Sequence, residues 1–448
     1  MSKPSFLGAR VWRRVRRQAV EAGKTIAHFA LLQAARLRRG QLRRTTFIAV
    51  TGSCGKSTTT KLIGNLLTSN GASVVGDANN NDRAAVRAVL KVSASARFCL
   101  QEIGADQKGT IARRAKILQP DIGIVTTVGS DHYKVFRTLE ETAKEKGALV
   151  EALPVSGVAI LNADDPYVRA MASRTKARIV TFGTSPEADV RASDVSGAWP
   201  DFLSFTVAYG GQSMRVETSF PGTHWTASVL AAIACGLACG FDLRACVSAI
   251  KEVEPVFGRF SVQSVANGPV FVLDSYKAPL WTVASSLAFV ETAKAPRKTV
   301  IFGTLSDYAG NAGRTYRKVV RQALAVADRV IMVGPHASHG DPLRAEAGGR
   351  LFTFATTYEA NRLVAEESKS GELILIKASG NDHLERIALT HFDEIMCWRE
   401  GCGKSRACPR CRYYRTPNPP PLVHAHAEQG KAPVPDLLGI REEAPSPP

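Results

Sequence analysis

The stretch 46-TFIAVTGSCGKSTTTKLIG-64 begins as a short apolar run and ends as a helical pattern, with a glycine-containing loop between them. Gly52 and Gly55 allow the backbone to approach an anion closely, and a helix that starts near Ser57 directs its N-terminal amide groups at that anion. Strand, loop and helix in this order predict a phosphate-binding loop in an α/β fold. Its spacing is shorter than the usual G-x-x-x-x-G-K-S/T, because Val50 stands where the first glycine is expected.

The polar side chains of the loop suit a nucleotide with a metal ion. Lys56 is placed to reach the terminal phosphates, and the hydroxyl of Ser57 or Thr58 is placed to hold Mg²⁺. The residues predicted to contact the nucleotide are Gly52, Ser53, Gly55, Lys56, Ser57 and Thr58. An ordinary strand-to-helix turn is the alternative interpretation.

From residue 46 onward, apolar runs alternate with helical patterns in two series. The first series has its runs at 46–50, 98–103, 121–128, 157–162 and 178–182, and the second has them at 269–274, 298–303, 329–334, 351–354 and 372–377. Such alternation predicts mostly parallel sheets with helices on both faces. Residues 186–220 lose this rhythm and predict an antiparallel edge. The expected fold class is therefore α/β, with two doubly wound domains.

These patterns divide the chain into five parts. The sequence predicts a basic, amphipathic helical arm at 1–45, a P-loop domain at 46–256, a Rossmann-like domain at 257–396, a segment with four cysteines at 397–415 and a tail at 416–448. The tail is rich in proline and polar residues, a composition typical of disorder.

Positive charge is concentrated in the arm. Residues 1–45 carry twelve of the 58 lysines and arginines against the single acid Glu21, so the rest of the chain contributes only about +7 to the net charge of +18. The arm is interpreted either as a helix packed on its own protein or as a contact for a membrane surface, a phosphorylated substrate or another protein. We expect no nucleic-acid partner, because aromatic residues make up only 7% of the chain and the core offers no stacking platform for bases.

The nine cysteines indicate a reducing compartment. No signal peptide is recognised, and no run reaches the ~18 apolar residues of a spanning helix, so a cytoplasmic protein is expected. Four of the cysteines, Cys397, Cys402, Cys408 and Cys411, lie within 397-CWREGCGKSRACPRC-411. Four thiolates can close tetrahedrally on Zn²⁺, which would make the site structural. An iron–sulfur cluster and unliganded thiols are the alternatives.

Several blocks in succession resemble the Mur ligase family of amide-forming ligases. They are 51-TGSCGKSTTTK-61, 102-EIGADQKGTI-111, 125-VTTVGSDHYKVFRTLEETAKEKG-147, 161-LNADDP-166, 221-PGTHWTASVLAAIACGLACG-240, 257-FGRF-260, 273-LDSYKAP-279 and 372-ELILIKAS-379. The family uses the shortened loop spacing. The resemblance implies an ADP-forming enzyme that phosphorylates a carboxylate with ATP and Mg²⁺ and then transfers the acyl group to an amine. Both substrates would be small molecules, as in cell-wall peptide synthesis.

The resemblance also implies roles for individual residues. Glu102 and His132 match the metal-associated glutamate and histidine, and Lys146 matches a lysine that becomes carbamylated, with Lys144 as its near neighbour. The positions implied to lie near the nucleotide are Asn162, Asp164, His224, Arg259 and Asp274. Lys377 and Ser379 match groups around the amine substrate. Lys56, Glu102, His132 and Lys146 are thus the candidate catalytic residues.

The chain also departs from the family pattern. Both asparagines of an H-N-x-x-N block are replaced in 224-HWTAS-228, a D-x-Y-N-A-N-P block reads 274-DSYKAPL-280, and 377-KASG-380 lacks an arginine. Only 45 residues precede the loop, so we expect no separate N-terminal domain for a UDP-sugar. A degenerate ATP-binding subunit that needs a partner enzyme is therefore the alternative function, and a nucleic-acid-binding ATPase is a weaker one.

Overall fold

The computed structural model describes residues 30–77, 80–404 and 407–417. Its first sheet has the order β2-β3-β1-β4-β5-β6-β7-β8-β9. These strands are β1 (Thr46–Thr51), β2 (Val74–Asp77), β3 (Phe98–Glu102), β4 (Ile122–Val125), β5 (Val158–Asn162), β6 (Arg178–Gly183), β7 (Val190–Ser196), β8 (Phe202–Tyr209) and β9 (Gln212–Pro221). The pairs from β2 through β7 are parallel, and β7, β8 and β9 pair antiparallel, so the expected antiparallel edge is present.

The second sheet has the order β10-β11-β15-β12-β13-β14. Its strands are β10 (Ser261–Ser264), β11 (Val270–Asp274), β12 (Lys298–Phe302), β13 (Arg329–Val333), β14 (Leu351–Phe354) and β15 (Leu373–Lys377). All of its pairs are parallel except β10 with β11. The two mostly parallel sheets confirm the expected α/β fold class.

Helices connect the strands and cover the sheets. Residues 30–41 are helical and are called α1. The others are α2 (Lys56–Ser69), α3 (Asp82–Lys91), α4 (Thr110–Leu118), α5 (Leu139–Glu151), α6 (Pro166–Arg169), α7 (Thr226–Ala238), α8 (Leu243–Lys251), α9 (Val283–Thr292), α10 (Ala312–Val326), α11 (Thr357–Glu367) and α12 (Glu385–Leu389). Within the described residues, none of them combines the length and apolar character needed to cross a bilayer.

Strand β1 shows how the first sheet is covered on both faces. Ile48 and Val50 belong to the core shared with α2 and α7, whereas Phe47 and Ala49 belong to the core shared with α3 and α4. Successive side chains of a strand point to opposite faces, so a strand buried on both faces reads as a continuous apolar run. The sequence 46-TFIAV-50 is such a run.

The described end of the basic arm packs on the first domain. Ala35 of α1 is fully buried. Arg39 lies with its guanidinium 3.9 Å from the centroid of the Phe47 ring and forms an ion pair with Asp121 at 3.2 Å. The preceding residues 1–29, including the rest of the predicted amphipathic helix, lie outside the described residues, as do 418–448 of the predicted tail.

A buried ion network stabilises the second domain. The Glu372 carboxylate is fully buried at the start of β15. It accepts hydrogen bonds from Arg329 at 3.1 Å and from the Thr299 hydroxyl at 2.5 Å, and Arg297 pairs with its other oxygen. Because a buried charge without a partner is very unfavourable, each member depends on the others.

Replacing Glu372 tests this network. We expect Glu372→Ala to lower the free energy of unfolding by about 3–5 kcal/mol, because Arg329 stays buried without its partner. Glu346→Ala removes the exposed ion pair with Arg321, whose charges are screened by water, and should leave the free energy of unfolding close to that of the wild type. Urea unfolding monitored by circular dichroism measures both variants. Equal effects of the two substitutions would contradict the account.

Candidate active site

The phosphate-binding loop depends on glycine at two positions. Gly52 has φ +150°, and a Cβ there would lie 1.9 Å from the Thr126 hydroxyl oxygen. Gly55 has φ +80° and precedes α2 without any side-chain cap, so the first amide groups of the helix stay directed at the mouth of the loop. Lys56 folds back over this mouth, with its Nζ donating to the Gly52 carbonyl at 2.7 Å. Loop, lysine and helix end together form a cationic cradle suited to phosphate.

The segment after β4 holds the loop in place. The Ser53 amide donates to the Thr127 carbonyl at 2.8 Å, and the Ser53 hydroxyl accepts from the Gly129 amide at 2.9 Å. The Thr126 hydroxyl donates to the Cys54 carbonyl at 2.6 Å. These contacts turn the Ser53 side chain toward the protein, where it positions the loop.

A hydroxyl and a carboxylate meet beside the loop. The Ser57 hydroxyl donates to Glu102 Oε2 at 2.6 Å, and the Asn80 side-chain amide donates to Glu102 Oε1 at 2.9 Å. Glu102 ends β3 and is almost fully buried. Hard oxygen donors next to a phosphate site are the ligands that Mg²⁺ prefers, so this donor set fits a magnesium ion.

A second charged group lies deeper in the site. Lys146 of α5 is 1% exposed, and its Nζ lies 3.7 Å from Asp131 Oδ2. His132, in the left-handed region at φ +52°, places its Nε2 3.6 Å from the other oxygen of Asp131. Asp131 therefore links the candidate histidine and the candidate lysine.

Burial and the charges of nearby lysines determine the protonation states of Asp131, Lys146 and His132. Burial alone would raise the pKa of Asp131, but the charges of Lys56, Lys146 and Lys277 outweigh it, and the pKa lies below its usual value. Burial, reinforced by the charge of Lys56, lowers the pKa of Lys146 from 10.5 to about 7, although Asp131 opposes the shift. Burial also lowers the pKa of His132. A substantial fraction of Lys146 is thus an uncharged amine near neutral pH.

The second domain contributes its own charged pair. Lys377, at the end of β15, pairs with Asp274, at the end of β11, with 2.5 Å between Nζ and Oδ2. The Arg259 guanidinium lies 4.3 Å from the centroid of the Tyr276 ring. His224, which follows β9 of the first sheet, packs against the ring of Phe260, and burial lowers the pKa of His224 to about 3, so its imidazole is neutral.

One cavity of about 310 Å³ between the domains collects most of these groups. The predicted residues that line it are Ser53, Gly55, Lys56, Ser57, Thr58, Glu102, His132, His224, Arg259, Asp274 and Lys377. Gly52 and Lys146 adjoin it through Lys56 and Asp131. The cavity combines a phosphate cradle, carboxylates for a cation and a lysine–aspartate pair on the facing domain.

Three predicted residues are engaged elsewhere. The Asn162 side-chain amide donates to the Thr126 carbonyl at 2.8 Å, and Asp164 accepts from the amide groups of Thr184 and Ser185. The Ser379 hydroxyl accepts from the Asn381 amide at 3.4 Å. None of the three is among the residues that line the cavity. Asn162 thus ties the end of β5 to the segment after β4, and Asp164 ties the turn after β5 to the turn after β6.

The cavity also includes residues that the sequence did not single out. Asn80, Arg114, Tyr276 and Lys277 line it, and Asp131 lies behind His132. Lys277 occupies the altered position in 274-DSYKAPL-280, so that departure was a signal for a changed charge at the site. Asn80 precedes α3, and the sequence around it carries no comparable signal.

The four predicted zinc ligands lie apart from this site. Cys397, Cys402, Cys408 and Cys411 line a separate small cavity, together with His383, against the second domain. The sequence did not indicate His383.

Two family models match the chain in succession. The Mur ligase middle domain matches residues 50–236, and the Mur ligase glutamate ligase domain matches residues 258–380. The matches cover the strands and loops that supply the cavity between the two sheets.

Individual proteins show the same similarity. The chain is 30% identical over 405 residues to the UDP-N-acetylmuramoyl-tripeptide–D-alanyl-D-alanine ligase of Mycobacterium tuberculosis, covering 85% of this chain and 78% of that protein. It is 26% identical over 347 residues to the Escherichia coli ligase of the same name, covering 76% and 75%. Among solved structures, MurF from Acinetobacter baumannii superposes with a TM-score of 0.73 at 23% identity, covering 82% and 81%. MurF from Thermotoga maritima in complex with ADP gives 0.71 at 22% identity, covering 81% and 83%. The solved structures share the fold.

The lowered pKa of Lys146 predicts a pH-dependent stability. Between pH 7 and pH 10.5 the unfolded chain binds a proton at this amine that the folded chain lacks, so the free energy of unfolding should rise with pH. The slope is at most about 1.4 kcal/mol per pH unit. Urea unfolding in CO₂-free buffer should show this rise in the wild type relative to Lys146→Met. The exposed neighbour Lys144 is the control, and a Lys144→Met variant should keep the wild-type slope. Parallel pH profiles of wild type and Lys146→Met would contradict the assignment.

Proposed function

Because this chain belongs to the Mur ligase family, it is an ATP-dependent ligase that forms carbon–nitrogen bonds, and we propose that it joins a peptide carboxylate to an amine through an acyl phosphate. One observation carries the proposal. The cavity between the domains places the phosphate loop and Glu102 on one side and the Lys377–Asp274 pair on the other. Such a site is suited to bind a nucleotide next to a carboxylate substrate and an amine substrate.

The first step is phosphoryl transfer. A carboxylate oxygen of the acid attacks the γ-phosphorus of ATP, and the bond from that phosphorus to the β,γ-bridging oxygen breaks to release ADP. Lys56 and the free amide groups at the start of α2 bind the phosphates and stabilise their charge. Lys277 adds a further cation on the facing domain, close enough to lower the pKa of Asp131.

Magnesium fits the oxygen donors beside the loop. Ser57 and Glu102 would hold the ion, with Asn80 fixing the orientation of the Glu102 carboxylate. When bound, Mg²⁺ neutralises phosphate charge and orients the transferred group. His132 and Asp131 extend the same polar wall toward Lys146.

We propose that Lys146 carries a carbamate. Reaction with CO₂ requires an uncharged amine, and burial supplies it by lowering the pKa of Lys146 to about 7. The nitrogen of the uncharged amine bonds to the carbon of CO₂ and releases one proton to solvent, so a neutral group becomes an anion. The neighbouring charges of Lys56 and Lys277 favour that anion, and the carbamate oxygens would provide further hard ligands beside Asp131.

The second step forms the amide. The amine nitrogen attacks the acyl carbon, the carbon–oxygen bond to phosphate breaks, and the nitrogen loses a proton. Asp274 and Lys377 are placed to orient the amine substrate from the second domain, since their charges lie at the cavity wall. Exclusion of water by the facing domains protects an acyl phosphate that otherwise hydrolyses.

The substrates proposed here follow the names of the relatives. A UDP-muramyl peptide is the candidate acid and D-alanyl-D-alanine is the candidate amine, in peptidoglycan synthesis within the cytoplasm. The altered 224-HWTAS-228 and 377-KASG-380 blocks support a changed amine or adenine pocket. A structural zinc ion in the cysteine-rich segment, and a protein or membrane contact through the basic arm, complete the proposal.

A substrate panel tests the function. The purified chain is assayed for phosphate release from Mg-ATP while UDP-muramyl peptides and simple acids are paired with amino acids and D-alanyl-D-alanine. We expect release only when an acid and an amine are both present, with mass spectrometry detecting the amide. Lys56→Ala should lower the rate by a factor on the order of 10² to 10³, because one donor to the transferred phosphate is lost.

The matched control is Lys61→Ala, on the same helix but with its Nζ directed at the Glu254 carbonyl outside the cavity. It should retain the wild-type rate. ATP binding without phosphate release for any pair would contradict the proposal and favour the partner-dependent subunit.

The carbamate has a separate test. With ¹³C-bicarbonate, the wild type should give a carbamate carbon resonance that is absent from Lys146→Ala and present in Lys144→Ala. The rate of Lys146→Ala should fall by a factor on the order of 10². A carbamate resonance that persists in Lys146→Ala would place the modification elsewhere, and an unlabelled but fully active wild type would refute it.

A further inference from the structure

The cysteine-rich segment is docked on the second domain. Trp398 and Tyr414 are buried in a cluster with Leu389 and Ile395. The Arg386 guanidinium, 1% exposed, donates to the carbonyls of Cys397 and Arg399. The cysteines are therefore held against a fixed surface, although the two residues 405 and 406 lie outside the described residues.

That surface presents a histidine to the cysteines. His383 is 2% exposed and lies in the loop between β15 and α12. Its Nε2 is 3.1 Å from Cys402 Sγ, and its Nδ1 is 3.4 Å from Glu385 Oε1. One ligand atom from each of His383, Glu385 and Cys408 lies within 4.8 Å of the other two. Adjacent nitrogen and sulfur ligands of tetrahedral zinc are roughly 3.5 Å apart, so the 3.1 Å between His383 Nε2 and Cys402 Sγ suits two ligands of one ion.

Glu385 is oriented as a support for the histidine. Its Oε1 accepts from the Cys408 amide at 3.1 Å and faces His383 Nδ1. A histidine that ligates a metal through one nitrogen usually donates its other N–H to a carboxylate, which fixes the tautomer. The geometry therefore leaves Nε2 free to coordinate a metal on the side of Cys402.

We propose that this chain binds one structural zinc ion through His383, Cys402, Cys408 and Cys411, with Glu385 positioning His383 and Cys397 outside the ligand set. Cys408 and Cys411 supply the C-x₂-C knuckle typical of zinc sites. The four proposed ligands and Cys397 all line one cavity of about 20 Å³, which has room for about one water-sized sphere. The choice of His383 over Cys397 rests on the 3.1 Å contact between His383 Nε2 and Cys402 Sγ. Arg386, Arg399 and Lys404 line the same cavity and offset the charge of the three thiolates.

The site would fix a loop that begins in the active site. Lys377 lies at the cavity between the domains, and Asp382, next to His383, accepts from the amide groups of Thr304 and Ser379. The zinc ion would join this loop to the cysteine-rich segment. With four protein ligands it has no open position, so its role is structural.

Metal analysis of the full chain tests the ligand set without any activity assay. We expect one zinc ion per chain in the wild type and in Cys397→Ser. The control variant Cys239→Ser, which lies at the end of α7 away from the site, should also keep one zinc ion. Cys408→Ser should lose the zinc ion. Glu385→Gln should bind zinc about 10- to 100-fold more weakly in competition with a chelator. Zinc lost from Cys397→Ser, or a wild type without metal, would overturn the proposal.

Cobalt substitution distinguishes His383 from Cys397 even if a variant folds poorly after losing its metal. The wild type should show the thiolate-to-cobalt charge-transfer absorption of three sulfur ligands. His383→Cys should retain the metal and gain absorption, because a fourth thiolate replaces the imidazole, while Cys397→Ser should leave the spectrum unchanged. A spectrum insensitive to His383→Cys, together with absorption lost in Cys397→Ser, would establish a site of four cysteines instead.

Discussion

The buried contact between Lys146 and Asp131 is the interaction on which the rest of the active site depends. The amine and the carboxylate are held 3.7 Å apart where both are buried, and neither keeps its ordinary pKa. The amine loses charge because burial penalises it, whereas the carboxylate keeps charge because three lysines surround it. The same surroundings that keep Asp131 anionic would favour a carbamate on Lys146.

Sheet topology explains why these groups meet. The loop after β1, Glu102 at the end of β3 and the segment after β4 all lie at the carboxyl edge of the first sheet. Asp274 and Lys377 lie at the carboxyl ends of β11 and β15, which are paired neighbours in the second sheet. In open α/β sheets ligands bind outside the carboxyl ends of the strands. The cavity is therefore formed by two such edges that face each other.

Much of the fold could be predicted from the sequence because strands buried on both faces read as unbroken apolar runs. The runs at 298–303 and 372–377 match β12 and β15 closely. Strand β2 was not predicted, because its sequence 74-VVGD-77 contains only two apolar residues before Gly76 and Asp77. The equally short edge strand β14 was predicted, because 351-LFTF-354 is mostly apolar and aromatic.

The site was harder to predict where contacts join distant parts of the chain. Lys56 and Glu102 were indicated by local motifs, and the cavity includes both. Asn162 was indicated by a local motif as well, but its side-chain amide donates to the Thr126 carbonyl and Asn162 is not among the residues that line the cavity. Asp131 and His383 were not predicted, because their importance depends on contacts with Lys146 and Cys402 that form only when the chain folds. Spacing within a sequence cannot show such contacts.

The acyl phosphate is the central claim, and oxygen transfer tests it most directly. The acid identified as substrate is labelled with ¹⁸O in its carboxylate, and the phosphate released during amide formation is examined by mass spectrometry. If the carboxylate attacks the γ-phosphorus, one ¹⁸O atom must appear in each phosphate released. Phosphate that contains no label from the acid would show that ATP is hydrolysed without activating the carboxylate, and it would contradict the mechanism.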